Sequence, residues 1–140
     1  MDAIVAALTA WLSVATGMPA AVEPPAISFI PGEQIAALHY GRSLAAPNND
    51  IIAAYDPATA TVMLREDWND QDIVDLSVLA HELVHHMQHA SAAKYPCPEA
   101  REAQAFAAQE TYLGQFHENL ESAFGIDKLS MMLKTTCLPY

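Results

Sequence analysis

Apolar residues recur at helical spacing in three long stretches of the chain and cluster as short strand-like runs between the first two. In the first stretch, Ile4, Leu8, Trp11 and Leu12 share one face, with Thr9, Ser13 and Thr16 off it. This predicts a helix from Asp2 to Thr16, stopped at Gly17 with Pro19 beyond. A Pro-rich connector, Glu23-Pro24-Pro25, leads to a short strand at Ala26–Ile30. Pro31 then opens a short helix through His39, at the first helical position, where its missing N–H costs nothing. Gly41 to Asn49 reads as a loop. Ile51–Tyr55 and Thr61–Leu64 read as a hairpin around the turn Asp56-Pro57-Ala58-Thr59.

The acidic stretch Glu66 to Asp75 comes next. Its carboxylates fall at or before the start of the second long helix, where they complement the helix dipole. That helix is predicted from about Gln71 to Ala90. Ile73, Leu76, Ala80, Leu83 and Met87 form its core stripe. Ser91 to Pro98 is a loop with two prolines, and a third long helix spans about Pro98 to His117, with Gly114 ending or bending it. One or two short helices complete the chain to Tyr140. The predicted class is α+β: a mainly helical single domain over residues 1–140, with a small antiparallel hairpin packed on the second long helix.

That helix carries His81-Glu82-Leu83-Val84-His85, an H-E-x-x-H pentapeptide. Positions i and i+4 lie one turn apart on one helix face, so two imidazoles can bind one metal ion. The glutamate next to the first histidine can reach a water on that metal, the zinc-hydrolase arrangement. With six His and nine Glu in 140 residues, composition alone yields roughly 0.02 such matches, so the motif outweighs chance. His81 and His85 lie on a different flank from the core stripe, which directs them to a cleft or to the edge of the core. His86, four residues after Glu82, reads as a solvated or Glu82-paired neighbour, and His89 as an outer support of the site.

A third ligand is required, with the fourth position left for water. Glu102 is favoured. Ala105, Phe106, Gln109 and Leu113 follow it on the same flank, small alanines allow close helix approach, and an inward carboxylate in apolar company is costly unless paired or metal-bound. Glu99 and His117 are the alternatives.

The net charge of −11 disfavours nucleic acid or an anionic membrane surface as partner. The six Lys and Arg do not cluster, and no apolar run approaches a membrane span. Cys97 and Cys137 form no C-x-x-C motif. They read as a disulfide, as two free buried thiols, or as a thiolate on the metal. The first reading, with a signal peptide removed, implies a periplasmic or secreted protein, and otherwise a cytoplasmic one. The apolar N-terminal segment lacks a basic n-region and is amphipathic, so it reads as a structural helix.

The chain resembles the gluzincin type of zincin metallopeptidase, in which a helix bears H-E-x-x-H and a glutamate on a following helix completes the site. His81, Glu82, His85 and Glu102 carry the likeness. The runs Leu79–Gln88, Pro96–Pro98 and Glu102–Phe106 are similar to those of minimal one-domain gluzincins and of small bacterial proteins with the same pattern. The resemblance implies a minimal zincin core and one Zn²⁺ per chain on His81, His85 and Glu102. It also implies hydrolysis of a peptide or protein substrate with Glu82 as general base. Bound zinc would lower its water's pKa toward about 7. Strand Thr61–Leu64 would pair with an extended substrate by β-addition. Larger gluzincins donate a His or Tyr to the transition state from a second domain, for which this chain has no room. Tyr95, Tyr112, His117 and Tyr140 are the substitutes to consider. The competing function is a non-catalytic or latent zinc-stabilised module that binds protein on the same scaffold. The extended pattern with a third downstream histidine, H-E-x-x-H-x-x-G-x-x-H, is absent, because His86, Met87 and Gln88 follow His85.

Overall fold

A computed structural model describes residues 1–37, 44–45 and 51–138. Its elements, in order, are α1 (Asp2–Thr16), β1 (Ala26–Ile30), α2 (Gly32–Ala37), β2 (Leu44–Ala45), β3 (Ile51–Asp56), β4 (Thr61–Arg65), α3 (Ile73–Ala90), α4 (Pro98–Gly114), α5 (Leu120–Phe124) and α6 (Lys128–Thr135). The fold is α+β, as the periodicities predict. The predicted end of the second helix at His39, and Tyr140, lie outside the described residues.

The hairpin forms as expected. Asp56 closes it, its carboxylate accepting from the Ala58 amide at 3.0 Å and the Thr59 hydroxyl at 2.7 Å. The sheet built on it is larger than a hairpin and is not purely antiparallel. Four strands run in the order β1-β4-β3-β2. β3 and β4 are antiparallel, with Ala53 opposite Leu64 and Tyr55 opposite Val62. β1 lies parallel to β4, pairing Ala26 with Thr61 through Ile30 with Arg65. A parallel partner needs a crossover, and the chain through α2 to β3 provides it. β2 occupies two residues of the predicted loop and pairs with β3.

This order corrects one expectation. β4 is an interior strand with both of its edges paired, so it cannot add a substrate strand. The outermost strand on that side is β1, where Phe29 is 47% exposed.

β4 also fixes the layering. Val62 and Leu64 point into the main core with α1, α3 and α4, while Met63 points to the opposite face with Ile35 of α2 and Ala54. That is the two-residue alternation of a strand buried on both faces. α1 is a structural helix, as its amphipathicity suggests: Val5, Leu8 and Leu12 are buried and Gly17 ends it with φ 78°. Asp72 caps α3 by accepting from the Val74 amide at 2.8 Å, and Asp75 in the first turn accepts from the Asn69 amide at 2.9 Å.

The single-stripe reading of α3 is corrected. Every residue from Ser77 to Gln88 is buried, including Val78, Leu79 and Val84 off the stripe. α1, β3, β4 and α4 cover the helix between them, and α4 packs on it most extensively. A helix covered from several directions buries whatever its sequence offers, and here that includes polar residues.

Candidate metal centre

Burial of α3 on several sides carries His81 and Glu82 to zero exposure, with His85 at 8%. The two histidines therefore lie inside the molecule and not on an open cleft flank. Glu102 arrives from α4 at 9% exposure, flanked by buried Ala105, Phe106, Gln109 and Leu113. The expected inward flank of α4 is thus present. One ligand atom from each of His81, His85 and Glu102 lies within 4.8 Å of the others. His81 Nε2 is 3.3 Å from Glu102 Oε2, and His85 Nε2 is 2.7 Å from Oε1.

These short approaches are not aligned as hydrogen bonds. His81 Nε2, His85 Nε2 and Glu102 Oε1 are all buried without a hydrogen-bond partner. The opposite nitrogen of each ring is bonded: His81 Nδ1 lies 2.9 Å from Gln109 Oε1, and His85 Nδ1 lies 3.0 Å from Gln88 Oε1. Buried polar atoms left unpaired cost free energy. Three of them converging from two imidazoles and a carboxylate form a donor set that a cation satisfies. His81, His85 and Glu102 could therefore hold a metal ion.

The electrostatics of the metal-free cluster agree. Burial would raise Glu102, but contacts with His81 and His85 and their charge overturn it and hold the carboxyl well below the usual range. Burial would depress His85, but Glu102 and then Glu82 pull it upward. Glu82 has both carboxylate oxygens buried without a hydrogen-bond partner. Burial pushes it up to about 7, against the pull of His81 and His85.

A pH dependence follows for the metal-free protein. Between the ordinary value of 4.5 and about 7 the folded state holds a proton on Glu82 that the unfolded chain has lost. Stability falls as pH rises through that window. Glu82→Gln has no such proton to lose. At about pH 8 it is expected to exceed the wild type by roughly 3 kcal/mol, and near pH 4 to equal it. Thermal midpoints of metal-free samples at both pH values measure this. The same difference at both would remove burial as the cause.

Other candidates fall elsewhere. His86 is buried and satisfied: Nε2 donates to the Glu23 carbonyl at 2.6 Å, and Nδ1 meets the Tyr55 hydroxyl at 2.8 Å. It is neither solvated nor paired with Glu82, because it faces β3 and the connector before β1. His89 is exposed, with its ring 6.4 Å from that of Tyr55. Glu99 is outside the cluster. His117 is exposed beyond the end of α4, at φ 61°. Tyr112 packs edge-on against Trp11 at 5.5 Å. The Tyr95 hydroxyl donates to Gln104 Oε1, which also accepts from Gln88, so Tyr95 connects to His85 only through two amides.

Gln88 and Gln109 were not among the residues the motif singles out. Their signal was position: a glutamine on an otherwise apolar flank must find a partner.

Cys97 and Cys137 form a disulfide, with Cα atoms 5.8 Å apart. Neither thiol is then free or available to a metal. A disulfide points to an oxidising compartment. Among the described residues no helix is long and apolar enough to cross a membrane.

No curated protein and no solved structure matches the chain. The model of one family, described as a domain of unknown function (DUF6647), matches residues 1–140, and the chain belongs to that family.

Proposed function

We propose that the protein is a zinc-dependent peptidase of the gluzincin pattern, with His81, His85 and Glu102 as zinc ligands and Glu82 as general base. The observation that carries this reading is the convergence of unpartnered buried acceptors from those three residues, with the unpartnered Glu82 carboxylate beside the first histidine on the same helix. When bound, zinc supplies Lewis acidity and brings the pKa of water toward about 7. Glu82 accepts the proton of the attacking water and delivers it to the leaving amine as the C–N bond breaks and the C–O bond forms. Burial raises Glu82 to about 7 in the metal-free protein, and a cation bound beside it would lower that value and leave the carboxylate ready to accept a proton. The disulfide supports a periplasmic or secreted setting for the activity.

One observation favours a second reading, a latent or non-catalytic zinc-stabilised module that binds protein. His81 and Glu82 have no solvent exposure, and His85 and Glu102 have little.

Protein purified without a histidine tag is expected to contain one zinc per chain and to cleave an unfolded protein substrate in a chelator-sensitive way. Metal analysis and a cleavage assay measure the two parts. Stoichiometric zinc without cleavage would leave the second reading standing. Absence of zinc uptake would remove both.

A further inference from the structure

The two histidines differ from the rest of the site in having a polar partner on their far side, and in each case the hydrogen bonds have only one possible direction. Behind His81, the Ser77 hydroxyl donates to the Val74 carbonyl at 2.7 Å. A carbonyl only accepts, so the Ser77 proton is committed there. Ser77 Oγ then accepts from Gln109 Nε2 at 3.2 Å. The Gln109 amide is thereby oriented, and its Oε1 is the atom that meets His81 Nδ1. An amide oxygen cannot donate, so Nδ1 carries the proton.

Behind His85, Gln88 Nε2 donates to the Arg101 carbonyl and to Gln104 Oε1, both at 3.0 Å. Gln88 Oε1 therefore faces His85 Nδ1, which again carries the proton. Gln109 has no exposure and Gln88 is 3% exposed, so water does not compete for either amide.

We infer that Gln109 and Gln88 are positioning residues that hold His81 and His85 as Nδ1–H tautomers and so direct both Nε2 lone pairs at one metal ion. Outer partners of metal-bound histidines fix the ring and its tautomer in this way. The two anchors come from different helices. Gln88 lies one turn from His85 on α3, and Gln109 reaches across from α4, the helix that also brings Glu102. Docking of α4 therefore delivers a ligand and the orientation of a second ligand together. Both anchors are neutral, so a divalent ion would be offset by the Glu102 carboxylate alone among these groups, and no second carboxylate behind an imidazole weakens its Lewis acidity.

The inference rests on the metal-site reading, and zinc affinity of the full chain separates the two. Affinities are measured by competition with a chromophoric chelator for the wild type, Gln109→Leu and Gln88→Leu. The leucine variants are expected to bind about 10–100-fold more weakly. In the zinc-loaded wild type, imidazole nitrogen-15 shifts are expected to show both histidines bound through Nε2 with the proton on Nδ1. Absorption of the cobalt(II) forms is expected to change in the leucine variants, which reports ligand geometry independently of activity. Leucine variants with wild-type affinity and an unchanged cobalt spectrum would overturn the inference while leaving the metal site intact. Should they fail to fold, the nitrogen shifts of the zinc-loaded wild type decide: either imidazole bound through Nδ1 overturns the inference. A wild-type protein that takes up no zinc would overturn the metal-site reading itself.

Discussion

Glu82→Gln is expected to abolish peptide cleavage while leaving one zinc per chain in place. The substitution keeps the shape of the side chain and removes its ability to accept a proton. Glu82 is not in the group that brings ligand atoms together, so metal content should not change. General acid–base catalysis by a positioned side chain is worth about 10²–10⁴-fold in rate, and a loss of that size is expected in kcat/KM. The variant should also be the more stable protein above neutral pH, because the wild type must otherwise bury an unpaired charge. Loss of activity with a gain in metal-free stability is hard to obtain from general damage to the fold. A variant that cleaves at the wild-type rate would show that Glu82 is not the base.

The second large effect concerns the disulfide. Reduction of Cys97–Cys137, or the double substitution of both by serine, is expected to lower stability by at most about 4 kcal/mol. That is the chain-entropy value for a closed loop of about forty residues. For a domain of this size it corresponds to a fall of about 10–15 °C in the thermal midpoint. The full amount requires that the native state stay unchanged. α6 has no buried residue, and Leu129, Met132 and Leu133 on it are each more than half exposed. Part of the loss should therefore appear as local release of α6, visible as faster amide exchange there than in α3. Scanning calorimetry with and without reductant, with exchange measured in parallel, tests this. A midpoint unmoved by reduction would mean that the bond constrains nothing that the fold does not already hold.

The sequence revealed the parts of the centre that obey short-range rules. The carboxylates at the start of α3, the His81–His85 spacing along it and the apolar flank around Glu102 all depend on residues within a few turns of one another, and spacing is enough to read them. Long-range pairing left no such mark. β1 was legible as a strand, but its parallel register against β4 joins residues 35 apart and has no local signal. Without it, β4 looked like an edge. His86 was misread for a related reason: Glu82 lies one turn away on the same helix, while its true partners, Tyr55 and the Glu23 carbonyl, are brought in by tertiary packing. The glutamines carried a weaker form of the same difficulty. A neutral amide has no motif, and Gln109 meets His81 across 28 residues of sequence.

The covalent link between residues 97 and 137 also changes the topology of the chain. Everything from Pro98 to Thr136 lies within one closed ring, and Glu102 and Gln109 are inside it. A single backbone cut anywhere in that ring releases no fragment. Tension applied at the C-terminus passes from Cys137 directly to Cys97 and bypasses α4. The helix that carries Glu102 is thus kept attached after a nick and spared from pulling, as long as the compartment keeps the two sulfurs joined.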